Sequence, residues 1–195
     1  ATLRTRSAWL NAISVQATGY QRAQIEGISG VMRARGVLSG MRRTPVAESN
    51  YAVADIDTFA YGVSFAQLDL VRVPELHMAG YTGSGVRVAV FDGGYIGVYE
   101  HLGLQHINII DVQNFVSGGT FIEMHNHGTG VISTFAARDS LTYLGVAPEV
   151  ELLLAVTEDV SDEYPGEEDY FVEALEWAEA MGADLVTASI GYNNW

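Results

Sequence analysis

The chain has 195 residues, 48% of them hydrophobic and 17% charged, enough for one good core plus a small appendage. With no cysteine it can hold neither disulfides, thiolate metal sites nor a cysteine nucleophile, and no apolar run approaches the ~18–20 residues that cross a bilayer. Its net charge of −14 is unevenly spread: residues 1–43 carry seven Arg and one acid, Glu26, whereas residues 44–195 carry three Arg and 23 acids. A basic leader could bind nucleic acid, but the acidic body would repel it, and docking of the leader on its own chain is the favoured expectation.

In chain order, residues 8–17 predict a strand, with Ile13 and Val15 alternating. Residues 19–29 predict a short helix, with Ile25 and Ile28 three apart and a stop near Gly30. Val31 to Arg43 predicts a further strand or hairpin, broken by Gly36 and Gly40. Strand–helix–strand is half of a small α+β module, whose expected first strand and helix are not here. Residues 44–60, with Pro45 and scattered small and acidic residues, predict a linker.

From residue 61 the texture changes. Phe65, Leu68 and Val71 have helical spacing, and Pro74–His77 starts another helical turn. Gly80–Gly85 is a turn, followed by a strand over Val86–Phe91. Further buried strands are expected at Ile107–Val112, Val150–Val156 and Leu185–Ile190, and helices at His127–Ala137 and Asp169–Met181. Apolar strands alternating with helices predict an α/β fold, a parallel sheet flanked by helices on both faces.

Two residues stand out chemically. Asp92 follows a buried strand and precedes Gly93-Gly94; acids at the carboxyl ends of parallel strands lie where such sheets place their active sites. His127 heads a helix, and Gly128 removes bulk beside it. A neutral imidazole takes a proton from a hydroxyl when a carboxylate holds its other nitrogen. Alone, each has a plainer explanation, a turn cap for Asp92 and a helix-terminal or core histidine for His127.

Their sequence settings add a resemblance. The strand leading into Asp92-Gly93-Gly94 resembles the Asp-Thr/Ser-Gly element of the subtilisin-like serine peptidases, the subtilases. Asn126-His127-Gly128-Thr129-Gly130-Val131 resembles their Gly-His-Gly-Thr-His-Val element. Gly145-Val146-Ala147-Pro148 is similar to the family's Gly-Val-Ala-Pro step, and Ala188-Ser189-Ile190-Gly191 to the Ser-Leu-Gly strand that lines the substrate cleft. Residues 8–43 resemble, more by pattern than by motif, the C-terminal half of the family's pro-segment.

The resemblance implies a partial pro-segment over 1–43, a linker over 44–60 and the first part of a catalytic domain over 61–195. It implies peptide-bond hydrolysis through an acyl-enzyme, with His127 as general base and Asp92 orienting it. Ser189, Ile190 and Gly191 would bind substrate backbone. The expected partners are protein or peptide substrates and the chain's own docked pro-segment, with neither nucleic acid nor membrane. No cofactor is expected for catalysis; structural calcium is common in the family, without assignable ligands here. The family also implies a secreted or cell-envelope setting.

Three departures accompany the match. Gly93 stands where the family has Thr or Ser, and Gly130 where it commonly has His. The later Gly-Thr-Ser-Met-Ala element and the oxyanion Asn do not occur in these residues. Ser189 lacks the glycine that a nucleophile elbow needs two residues earlier, and Ser133 lies on the same helix as His127. The expectation is therefore a chain cut before its nucleophile and inactive alone, with the 185–190 strand uncovered and prone to aggregate.

Rival readings are a metal site built on Glu123, His125 and His127, near His101 and His106, and a non-catalytic binding module. The glycines have the wrong order and spacing for a dinucleotide fingerprint. The acidic run Glu158–Asp169 is most simply a solvated loop and helix start. Some of those acids could instead face the cleft and favour basic residues in substrates.

Overall fold

A computed structural model describes residues 1–36, 61–139, 142–162 and 164–191. The N-terminal segment forms strands β1 (Thr2–Ser7) and β2 (Ala12–Gln16), then helix α1 (Gly19–Glu26). The body follows with α2 (Phe65–Leu70), α3 (Val73–Met78), β3 (Arg87–Asp92), β4 (Asn108–Asn114) and α4 (His127–Ala136). It continues with a small pair, β5 (Arg138–Asp139) and β6 (Tyr143–Leu144), then β7 (Glu151–Val156), α5 (Glu167–Ala180) and β8 (Leu185–Ala188).

The central sheet has the order β4-β7-β3-β8, with every pairing parallel, as the alternation of apolar strands and helices predicts. Strand period two then sorts the side chains. Val88 and Val90 of β3 and Leu152, Leu154 and Val156 of β7 share one core with Ile132 and Ala136 of α4. Ala89 and Phe91 of β3 and Leu153 and Ala155 of β7 face Ala174 and Ala178 of α5. By the same parity Asp92 emerges on the α4 side of the sheet. That face leads to the head of α4, where His127 stands.

The N-terminal segment corrects the sequence reading in three places. A strand precedes β2 after all: β1 pairs with it antiparallel, Leu3 opposite Val15 and Ser7 opposite Ala12. Residues 8–11 are the turn between them rather than strand, with Asn11 at φ 45°. Residues 31–36 have no regular structure, and the rest of the strand or hairpin expected over 31–43 lies outside the described residues, as does the 44–60 linker. Helix α1 is closed at its start by a capping box: Thr18 Oγ1 accepts the Gln21 amide at 3.3 Å, and the Gln21 side chain accepts the Thr18 amide at 3.0 Å.

The β1–β2 hairpin lies on the outer face of α5. Thr5 Oγ1 donates to Glu173 at 2.9 Å, and Ser7 Oγ donates to Glu176. The amides of Ala8 and Trp9 also donate to Glu176, at 2.9 and 3.2 Å, and Trp9 Nε1 donates to Glu179 at 2.8 Å. Ser14 Oγ and Arg4 share Asp169, the latter at 3.3 Å. The contact of leader and body thus runs mainly through neutral donors on carboxylates. Among the described residues, Arg4 supplies its ion pair, while Arg22 pairs with Glu26 of its own helix.

Candidate active site

Asp92 ends β3 with 2% of its surface exposed, and it holds two hydrogen bonds. The Gly93 amide donates to Oδ1 at 2.8 Å. His127 Nδ1 lies 2.8 Å from Oδ2 and 3.0 Å from Oδ1, so against a carboxylate it is the nitrogen that carries the proton. Burial lifts the Asp92 carboxyl above the ordinary aspartate range, against the opposing pull of the Gly93 amide, of His127 and of His125. The imidazole is about half exposed. With Nδ1 engaged by Asp92 and the ring lining the cleft, Nε2 is the nitrogen that remains for a general base.

Two glycines allow this approach. A Cβ on Gly94, at φ 150°, would stand 2.3 Å from the His125 amide nitrogen. One on Gly128 would stand 2.5 Å from the ring of Tyr95 and 2.6 Å from the Gly94 carbonyl, which instead accepts the Gly128 amide at 3.0 Å. The loop after β3 and the first turn of α4 meet backbone to backbone, and any side chain between them would separate the pair. Tyr95 is fully buried beneath, its hydroxyl donating to the Val90 carbonyl at 2.6 Å.

The pair opens into a cleft of about 220 Å³. Ser189, Ile190 and Gly191, just past the end of β8, form one wall, so all five residues singled out from sequence meet in one place. Glu158, Asp159 and Val160 form another wall, and His125 stands at the rim. Part of the acidic run is thus cleft rather than solvated loop. Glu167 in the same run is fully buried and Asp169 is paired with Arg4, so the expectation of a wholly solvated segment fails for these residues too. The cleft is where the second reading of the run puts some of its acids, and the fold decides which ones by turning the loop after β7 back over Gly93.

Gly93 has a steric explanation. A Cβ there would come within 2.4 Å of Val160 Cγ1, so the valine occupies the space that the Thr or Ser of the resembled motif would need. Gly130 is the reverse case: nothing lies within 4 Å of where its Cβ would be, so its first side-chain atom has room. Ser133 turns its hydroxyl back onto the Gly130 carbonyl at 2.6 Å, away from any role as nucleophile.

The rival metal reading loses geometric support. His125 Nδ1 accepts the His127 amide at 3.2 Å and His127 Nδ1 faces Asp92, so one ring nitrogen of each is already engaged. Among the described residues no three histidines or carboxylates converge as a metal site. Nor is any of the helices there long and apolar enough to cross a membrane.

Known proteins resemble this arrangement. Residues 83–195 match the model of the subtilase family. Subtilisin E of Bacillus subtilis is 32% identical over 149 residues, which is 75% of this chain and 36% of the relative. An alkaline protease of Shouchella clausii is 36% identical over 140 residues, 71% of this chain and 34% of the relative. The chain thus spans about a third of the length of these relatives. Among solved structures, MycP1 with its N-terminal propeptide removed has a TM-score of 0.50 at 26% identity, covering 62% of this chain and 36% of that one. Fervidolysin of Fervidobacterium pennivorans, a keratinolytic enzyme related to subtilisin, shares the fold with a TM-score of 0.53 at 22% identity, over 66% of this chain and 21% of its own.

Proposed function

The chain belongs to the subtilase family, and from that premise we propose that it contributes the general base and its orienting carboxylate to a serine peptidase. The observation that carries the reading is the 2.8 Å contact of a buried Asp92 with His127, opening on a cleft. His127 Nε2 takes the proton of an attacking serine hydroxyl and later returns it to the leaving amine. Asp92 holds the imidazole in the tautomer with Nδ1–H and stabilises the imidazolium as it forms. The serine attacks the scissile carbonyl to give an acyl-enzyme, which water then hydrolyses. Neither Ser133 nor Ser189 fits that part, so we assign the serine to a position outside residues 1–195.

Ser189–Gly191 then hold an extended protein or peptide substrate as an added strand along the cleft edge. Residues 1–43 act as part of a pro-segment, seated on α5 through the β1–β2 hairpin, with residues 61–195 as the catalytic portion. The chemistry needs no cofactor, and the setting that fits is secretion or the cell envelope.

Peptidase turnover tests the reading, measured on the protein that carries these residues together with its serine. Changing His127→Ala should cost on the order of 10⁶ in kcat, the scale of losing a triad base in this fold. Turnover within tenfold of wild type would end the proposal. Residues 1–195 alone should hydrolyse no peptide.

A further inference from the structure

Glu167 is fully buried, an uncommon place for a carboxylate. Favouring the start of α5 does not by itself require burial, since Glu168 and Asp169 also lie in its first turn. What Glu167 does reach is the cleft wall: one carboxylate oxygen accepts the Asp159 amide at 2.8 Å.

From Asp159 the contacts lead toward the chemistry. The next residue, Val160, fills the space beside Gly93, where a Cβ would come within 2.4 Å of its Cγ1. Val160 is 55% exposed, but valine is branched at Cβ and holds a narrow set of rotamers, so the Cγ1 that it turns toward Gly93 is a stiff neighbour. The Gly93 amide donates to Asp92 Oδ1 at 2.8 Å, and Asp92 faces His127. The same loop is tied at its start, where the Thr157 amide donates to the Asp92 carbonyl at 3.1 Å. It is tightened at its middle, where the amide and hydroxyl of Ser161 donate to Asp159 Oδ1. Tied at Thr157 to the Asp92 backbone and at Asp159 to Glu167, the loop carries Val160 against Gly93.

We propose that Glu167 is a positioning residue for the Asp92–His127 pair, acting through the Asp159 amide and the packing of Val160 on Gly93. Its consequence for turnover rests on the peptidase reading, but the positioning itself does not. Val160 and Gly93 are then complementary: the glycine is needed because the valine occupies its side-chain space. A charged carboxylate is not essential to this role. An amide oxygen at the same place still accepts the Asp159 proton.

The test uses NMR of uniformly ¹⁵N-labelled residues 1–195, following the His127 Nδ1 proton and its exchange with water, with the Asp159 and Leu153 amides as references. E167A should free the Asp159 amide and speed exchange of the His127 proton at least tenfold, with Leu153 in β7 unchanged. E167Q should stay within threefold of wild type. G93S should speed the exchange about fivefold, and G93S/V160A should bring it back. The proposal is overturned if E167A releases the Asp159 amide while His127 exchange stays within twofold of wild type, or if G93S/V160A is no better than G93S. Should E167A fail to fold, the Gly93–Val160 pair decides alone. None of these readouts is peptidase activity, so failure here leaves the peptidase reading standing, and an active H127A variant would leave this result untouched.

Discussion

The cleft and the outer face of α5 use carboxylates in opposite ways. Asp92 is buried at the end of β3, and desolvation pushes its carboxyl up, against the amide and imidazole that hold it. Glu176 lies half-buried on α5, and the Ser7 hydroxyl, followed by the Ala8 and Trp9 amides, draws its carboxyl below the ordinary glutamate range. Burial therefore disfavours the charge on Asp92, while its hydrogen-bond partners favour it. Glu176 holds its charge because its partners favour it. At the cleft, burial works against the charge, and on α5 the hydrogen bonds from the hairpin work for it.

The sharpest way to break that contrast is to neutralise each acid in turn. D92N keeps an acceptor for Gly93 but can leave His127 in the wrong tautomer, so on the proposed peptidase reading turnover of the protein that carries these residues together with its serine should fall on the order of 10⁴. Stability should move the other way. A carboxyl whose folded pKa is raised contributes stability at low pH that is lost as pH rises through that pKa, so ionising Asp92 costs more in the folded chain than in the unfolded one. D92N should therefore melt at or above the wild-type temperature. A clear drop in melting temperature would mean that the Asp92–His127 contact is a net stabiliser and that the contrast is false.

Geometry gives the next largest effect. G128A would force a Cβ to within 2.5 Å of Tyr95 and 2.6 Å of the Gly94 carbonyl, neither of which can yield cheaply. Overpacking of this kind costs about 1–3 kcal/mol. A displacement of the imidazole of about 1 Å costs on the order of 10² in turnover. Thermal melting and turnover should both fall. A variant that loses stability but keeps turnover would show that the pair tolerates looseness.

These tests also mark what the sequence could and could not say. Asp92, His127 and Ser189–Gly191 were legible because the fold ties each to a short motif at the end of a regular element. The central strands were legible because full burial leaves near-continuous apolar runs such as Leu152–Val156. Strand β1 was not, because its inward residues, Thr5 and Ser7, face carboxylates rather than a core and leave no apolar alternation to read. Glu167 was hidden for a related reason: nothing local distinguishes a buried acid from its solvated neighbours in a run of seven. Val160 was hidden because its partner, Gly93, lies 67 positions away in the chain.

The docking face can be probed by acid. A carboxyl whose folded pKa is lowered contributes stability above the ordinary glutamate range and loses it as pH falls through the lowered value. Amide exchange, corrected for intrinsic rates, should therefore show protection at Ala8 and Trp9 declining below pH ~4.5 before the β3 and β7 amides respond. E176A should produce a similar loss, about tenfold, at pH 7. Protection that declines only together with the sheet would make the hairpin part of one cooperative unit, and the two regions would no longer be separable.

The smallest effect tests where the tight packing of the cleft ends. Gly130 lies two residues beyond Gly128 on the same helix, yet its Cβ position is empty to 4 Å. G130A meets no obstacle and removes backbone freedom from the unfolded chain, which in a helix is worth roughly 0.5–1 kcal/mol. The melting temperature should rise slightly and turnover should hold. The close approach that brings His127 to Asp92 then belongs to a single turn of α4, and the rest of the helix is free to be optimised for stability. If G130A instead lowered turnover, α4 would have to be moving as a body during the reaction, and the pair could not be treated as fixed by Gly94 and Gly128 alone.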